Sequence, residues 1–130
     1  MKLTTEDRLK AEKKYQTDIR RKMKAVNTYD KSFEHGIRVL AKTLVDYDDV
    51  VQQFEDGGAE YIVEYTNKNG STNKVKSPLY MAMEKLRDDI LLYSRELGLT
   101  PAGLKKIKES VGGNKSGSKL EEALKKLGAG

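Results

Sequence analysis

The chain has 130 residues, 37% of them hydrophobic and 35% charged, with a net charge of +5, one His, and neither Cys nor Trp. That length suits one domain with extensions, and so polar a composition suits long exposed helices or a core completed by neighbouring chains. Without Cys there is no disulfide or thiolate chemistry. No apolar run approaches the roughly 20 residues of a membrane span, and the opening MKLTTEDRLKAEKK lacks the apolar stretch of a signal peptide. A protein working in solution inside the cell, with no membrane contact, is expected.

Charge is distributed in blocks. Residues 1–29 carry nine Lys/Arg against four Asp/Glu, residues 30–60 three against eight, and residues 100–130 seven against three. Basic ends therefore flank an acidic to neutral middle. Basic terminal segments commonly meet polyanions, although lysine-rich helix faces also serve simply to keep a protein dissolved.

Residues 4–28 are predicted to be helical. Thr4 or Thr5 caps the start, and Glu6 and Asp7 suit the positive end of the helix dipole. Tyr15, Ile19, Met23 and Val26 make a narrow apolar stripe, surrounded by Arg8, Lys10, Lys13, Lys14, Arg20, Arg21, Lys22 and Lys24. Residues 31–56 form a stronger helix. Asp30 or Ser32 caps it, and Phe33, Ile37, Leu40, Leu44, Tyr47, Val51 and Phe54 recur at alternating spacings of four and three, a heptad seam. Gly57-Gly58 ends it.

Within 60–77 the period changes to that of strands. Tyr61-Ile62-Val63-Glu64-Tyr65-Thr66 is β-branched and aromatic, and Asn69-Gly70 is the pair suited to a type I′ turn, so a two-stranded hairpin is predicted. Ser77-Pro78 then caps and opens a helix over 78–98, with Leu79, Met83, Leu86, Ile90, Tyr93 and Leu97 as a second heptad seam and Gly98 as its stop. Thr100-Pro101 begins a short helix to about residue 110, carrying Leu104, Ile107 and Val111. Residues 112–118 have the Gly/Ser/Asn composition of a linker, and 119–127 suit a last amphipathic turn or two.

The expected fold is mainly α: an antiparallel pair of long helices with a small β-hairpin between them and a basic helix at the N-terminus. The expected division is a basic N-terminal helix (1–29), an oligomerisation core (30–111) and a flexible basic tail (112–130). Val39 and Val45 on the first seamed helix, and Leu91 and Leu92 on the second, lie off the seams. Leaving such aliphatic side chains in water forgoes roughly 1.5–3 kcal/mol each. Burial against sister copies is one way to cover them, and a compact four-helix monomer is the other.

No catalytic constellation is visible. His35 is the only His, beside Glu34. Asp46, Asp48 and Asp49 fan around different faces of a helix and read as solvated, as do Asp88 and Asp89. Gly113-Asn114-Lys115-Ser116 lacks the Gly before Lys, and the strand and helix, of a phosphate loop. No metal, cofactor or enzymatic activity is expected.

One stretch carries a family likeness. Pro78-Leu79-Tyr80, Lys85-Leu86-Arg87-Asp88-Asp89-Ile90 and the closing Ser94-Arg95-Glu96-Leu97-Gly98-Leu99-Thr100-Pro101 resemble the small subunit of phage terminase. The order of elements is similar too, over roughly residues 5–110. The resemblance implies a non-catalytic subunit that forms a homo-oligomeric ring, binds double-stranded viral DNA at the packaging-initiation site, and presents it to the large subunit, which holds the ATPase and nuclease. It implies work in the cytoplasm of the bacterial host.

Members of that family often bind DNA through a helix-turn-helix, and none is evident here. The expected DNA contacts are therefore the basic residues of the first helix, Arg8, Lys13, Lys14, Arg20, Arg21 and Lys24, and secondly Lys105, Lys106, Lys108, Lys115 and Lys119. A helical adaptor without DNA binding and a small dimeric DNA-binding regulator are the alternatives that the same residues allow.

Overall fold

The computed structural model describes residues 3–112. Helix α1 spans Thr5–Ala25, a 3-10 turn Lys31–Phe33 leads into α2 (Glu34–Asp56), strands β1 (Ile62–Thr66) and β2 (Thr72–Lys76) follow, then α3 (Pro78–Glu96) and α4 (Pro101–Ile107), which passes into one π turn, Lys108–Gly112. The fold is mainly α with a small antiparallel sheet between two long helices, as the two seams predict.

Local chemistry sets the boundaries. Thr4 caps α1 in a full capping box: the Asp7 N–H donates to Thr4 Oγ1 at 3.0 Å, and the Thr4 N–H donates back to Asp7 Oδ2 at 3.3 Å. The helix ends without glycine. Asn27 takes the left-handed conformation, φ 59°, and the N–H groups of Thr28 and Asn27 close on the carbonyls of Met23 (2.9 Å) and Lys24 (3.2 Å). Asp30, rather than Ser32, caps the next turn by accepting from the Ser32 N–H at 2.8 Å. Ser77 and Thr100 cap α3 and α4, each followed by proline at the first helical position.

Helices α2 and α3 run antiparallel. Phe54 stacks near Tyr80 at 5.6 Å between ring centres, and further along the pair Tyr47 accepts a hydrogen bond from Arg87 Nε at 3.0 Å. Helix α1 lies antiparallel on another face of α2: Arg8 reaches Asp46 and Asp49, Glu12 reaches Lys42, and Arg20 reaches Glu34. The central helix is therefore covered twice. Ile19 and Met23 from α1, Ile37, Leu40 and Ala41 from α2, and Leu97 from α3 form one buried cluster, flanked by Tyr15, Tyr29, Phe33, Leu44, Ile90, Tyr93 and Leu99. Thus α1 is part of the packed body, where the sequence suggested a charged helix with little to pack.

This double cover corrects the placement of Val45. It is 1% exposed, because it lies on the face of α2 whose neighbours Lys42, Asp46, Asp48 and Asp49 bond to α1. Val39 is half-buried, while Leu91 and Leu92 stand 52% and 47% exposed.

The hairpin pairs Thr66 with Thr72 and Ile62 with Lys76. Its turn differs from the two-residue type I′ predicted from Asn69-Gly70. The loop holds 67–71, Gly70 alone takes positive φ (82°) within it, and the Gly70 N–H donates to the Asn67 carbonyl at 3.0 Å. The Asn67 side chain accepts from the N–H groups of both Asn69 (3.2 Å) and Ser71 (3.0 Å), which fixes a longer turn of the kind that ends in a glycine bulge. A lone hairpin is marginal in water. This one is rooted by Tyr61, whose ring packs on Phe54 (5.7 Å) and edge-on to Tyr80 (4.8 Å).

Candidate nucleic-acid interface

At about 100° per residue, positions 10, 13, 14, 17, 21 and 24 of α1 fall within an arc of about 100° and a length of about 21 Å. Lys10, Lys13, Lys14, Arg21 and Lys24 thus form one ridge, opposite the stripe that meets α2, and all five are exposed.

The expected contact residues divide sharply. Arg8 and Arg20 turn inward. Arg8 Nη1 donates to Asp46 Oδ1 at 3.0 Å and Nη2 to Asp49. Arg20 grips Glu34 with Nε at 2.9 Å and Nη2 at 2.8 Å, and the Tyr29 hydroxyl adds a third donor to the same carboxylate at 2.6 Å. Those donors hold the Glu34 carboxyl down to about 2. Both arginines are consumed by the fold, so they are set aside as DNA contacts.

Lys13, Lys14 and Lys24 are different: among the described residues no carboxylate lies within ion-pair distance of them. Lys24 stands 4.9 Å over the Tyr29 ring. Lys10 pairs loosely with Glu6 at 3.9 Å, and Arg21 with Asp18. Such exposed pairs are worth at most about 1 kcal/mol and yield readily to a phosphate.

The acidic trio of α2 is not simply solvated, as its spacing suggested. Asp46 and Asp49 hold Arg8, and Asp48 accepts from the Tyr15 hydroxyl. Burial and then the Asp48 carboxylate push the Tyr15 phenol up to about 12, so it stays protonated and donating. An open groove of about 750 Å³ runs over this contact, bordered by Lys14, Asp18 and Arg21. His35 is exposed, and among the described residues no group of His, Asp and Glu could hold a metal ion.

The second basic set lies on α4 and the π turn. Lys105, Lys106 and Lys108 are exposed, with Lys105 at 4.0 Å from Glu109. Lys108 borders a groove of about 640 Å³ together with Tyr29, Asp30 and Phe33. Since Lys24 covers Tyr29, the Lys24 end of the ridge and Lys108 of the second set lie close to the same ring. The pairing of opposite charges between α1 and α2 is what sequence reasoning missed. Its signal was present, since a block of net +5 directly precedes one of net −5. Lys115 and Lys119 lie outside the described residues.

These features define a small, mainly α protein built on an antiparallel helix pair, with an exposed cationic ridge. Among the described residues no helix is long and apolar enough to cross a membrane. The profile of the family described as phage terminase, small subunit, matches residues 11–113, and the chain belongs to that family. No curated protein and no solved structure matches it significantly.

Proposed function

We propose that the chain binds double-stranded viral DNA through the α1 ridge, assembles with copies of itself, and delivers the DNA to the terminase large subunit in the host bacterial cytoplasm, with no catalysis of its own. The observation that supports this most is the division among the basic residues. The inward arginines are satisfied by α2, while Lys13, Lys14 and Lys24 are held by no carboxylate among the described residues.

With Lys10 and Arg21, the ridge of one copy offers five cations over about 21 Å. Binding by so few phosphate contacts is weak and salt-sensitive. Repetition on an oligomer raises it through effective concentration, and selection of the packaging site then rests on DNA shape and on repeated sites more than on base edges. Lys105, Lys106 and Lys108 extend the same end. Self-association uses the exposed Leu91 and Leu92 of α3 and, on α2, the half-buried Val39. The division of labour places DNA contact on 1–29, assembly on 30–111, and large-subunit docking on 112–130.

Fluorescence anisotropy with labelled duplex DNA, together with light scattering, tests the reading. Binding at low salt that declines steeply as salt rises, by a multi-subunit species, is expected. A monomer that ignores duplex DNA at low salt overturns it and leaves the adaptor alternative, and a dimer that binds one short site favours the regulator.

A further inference from the structure

The link between α1 and α2 faces the C-terminal end of α4 across an open groove of about 640 Å³. One wall carries Tyr29, Asp30 and Phe33, the other Ile107 and Lys108. The two rings pack on the core and are only partly covered by it, and Ile107 is half-buried. The groove is thus apolar between walls of opposite charge, with Asp30 on one and Lys108 on the other, both exposed. Lys24 stands over the Tyr29 ring at the same place.

The described residues end beside this groove, in the π turn that Lys108 begins. Residues 113–130 follow, outside the described residues. Their sequence opens with a Gly/Ser/Asn-rich stretch, 113–118, and a spacer of that length and composition spans about 13 Å on average. Leu120, Ala123, Leu124 and Leu127 then recur at helical spacing. At about 100° per residue they make one stripe, with Glu121 on one flank and Lys126 on the other. Segment and groove match in two respects: an apolar stripe meets an apolar cleft, and an acid and a base at its borders meet Lys108 and Asp30.

We propose that residues 119–127 dock in this groove of their own chain as an amphipathic helix, with Glu121 towards Lys108 and Lys126 towards Asp30. So short a tether raises the local concentration of the segment to about the millimolar range, so modest apolar contact suffices to hold it. The consequence for DNA rests on the reading proposed above. The docked segment neutralises Lys108 and lies against the ring that Lys24 covers, so it stands where phosphates would meet those two cations. Release of the tail and exposure of this basic end are then one equilibrium. Whatever takes the stripe favours DNA binding, and DNA favours release of the stripe to the same extent.

The double change Leu120→Asp with Leu124→Asp in the full chain tests this. Hydrogen exchange of 27–33, followed by mass spectrometry, reads the groove, and anisotropy with duplex DNA reads the cations. Segment 27–33 is expected to exchange faster in the variant than in the parent, by the same factor at low and high protein concentration. Equal exchange in the two proteins overturns the docking. Protection that appears only at high concentration gives the groove to another copy's tail and overturns docking within one chain. Duplex affinity is expected to rise in the variant, about tenfold if the parent's tail is docked about nine-tenths of the time, although the two new aspartates alone would lower it. Faster exchange with no gain in affinity overturns the shielding of Lys24 and Lys108. Failure of both proteins to bind duplex DNA at low salt overturns the DNA reading instead, and the exchange result then decides the docking by itself.

Discussion

Arg20 clamps Glu34 through two parallel hydrogen bonds, of 2.9 and 2.8 Å, and so ties the C-terminal part of α1 to the first turn of α2. With Tyr29 as a further donor the Glu34 carboxyl is held at about 2, below its ordinary 4.5. A carboxyl lowered on folding contributes stability that is fully present above its unfolded value and is lost as pH falls towards its folded value. Unfolding midpoints are therefore expected to fall between about pH 4.5 and pH 2, and Glu34→Gln is expected to flatten that part of the profile while lowering the midpoint at neutral pH. Thermal melts followed by circular dichroism across this range check it. An unchanged profile in the variant means that the clamp does not couple folding to pH.

The same clamp separates structural cations from available ones. Replacing Lys13, Lys14 and Lys24 together with alanine is expected to leave the fold intact and weaken duplex binding. The slope of log affinity against log salt falls by about 0.9 for each phosphate that is no longer neutralised, so by nearly three if each lysine meets one. Arg8→Ala and Arg20→Ala are expected to do the reverse, lowering the melting temperature with little change in salt slope. Anisotropy titrations at four or five salt concentrations distinguish the two groups. Equal slopes for the lysine variant and the parent would remove α1 from the interface.

Much of this was legible in the chain, and the failures in the helical part have one cause. The seams from Phe33 to Phe54 and from Leu79 to Leu97 give the helix pair, its antiparallel sense and the hairpin between. A seam, however, presumes one partner, and α2 has two. Val45 belongs to the face that α1 covers, so a single heptad register puts it on the outside. The α1 stripe looks too thin to hold a core, yet Ile19 and Met23 are buried in it, because paired charges along the rim of the contact supply what apolar width does not. For the same reason Arg8 and Arg20 are indistinguishable from Lys13 and Lys14 by residue type. Only their angular position, read against the acidic positions of α2, separates them. The hairpin turn departs from expectation because Asn69-Gly70 matches a two-residue turn locally, while Asn67, two positions earlier, captures the backbone first.

Gly103 lies against the last turn of α3. A Cβ at Gly103 would stand 2.8 Å from the Arg95 Cα and carbonyl carbon and closer still to its oxygen, and a helix backbone has no room to yield. Gly103→Ala is therefore expected to lift α4 off α3 at a cost of about 1–3 kcal/mol, the usual range for overpacking. Urea denaturation measures it. A variant as stable as the parent would show that α4 docks loosely, and that Lys105, Lys106 and Lys108 are not held in place by this contact.

Three of the four aliphatic residues that lie off the seams should behave as two kinds. Val45→Ala opens a hole in the α1–α2 contact and removes two carbons of buried surface, worth roughly 2 kcal/mol with the cavity included, so it should lower stability in a monomer and an oligomer alike. Leu91 and Leu92 are about half exposed, so aspartate at either position meets water in an isolated chain and costs the fold little. Against another copy, the same aspartate would be a buried charge without a partner, which is far more costly than trimming an aliphatic side chain from the interface. The double change Leu91→Asp with Leu92→Asp should therefore leave the helical circular dichroism unchanged while the mass from light scattering drops. If mass and melting temperature both stay at the parent values, α3 does not face a sister copy, and assembly must rest on other surfaces.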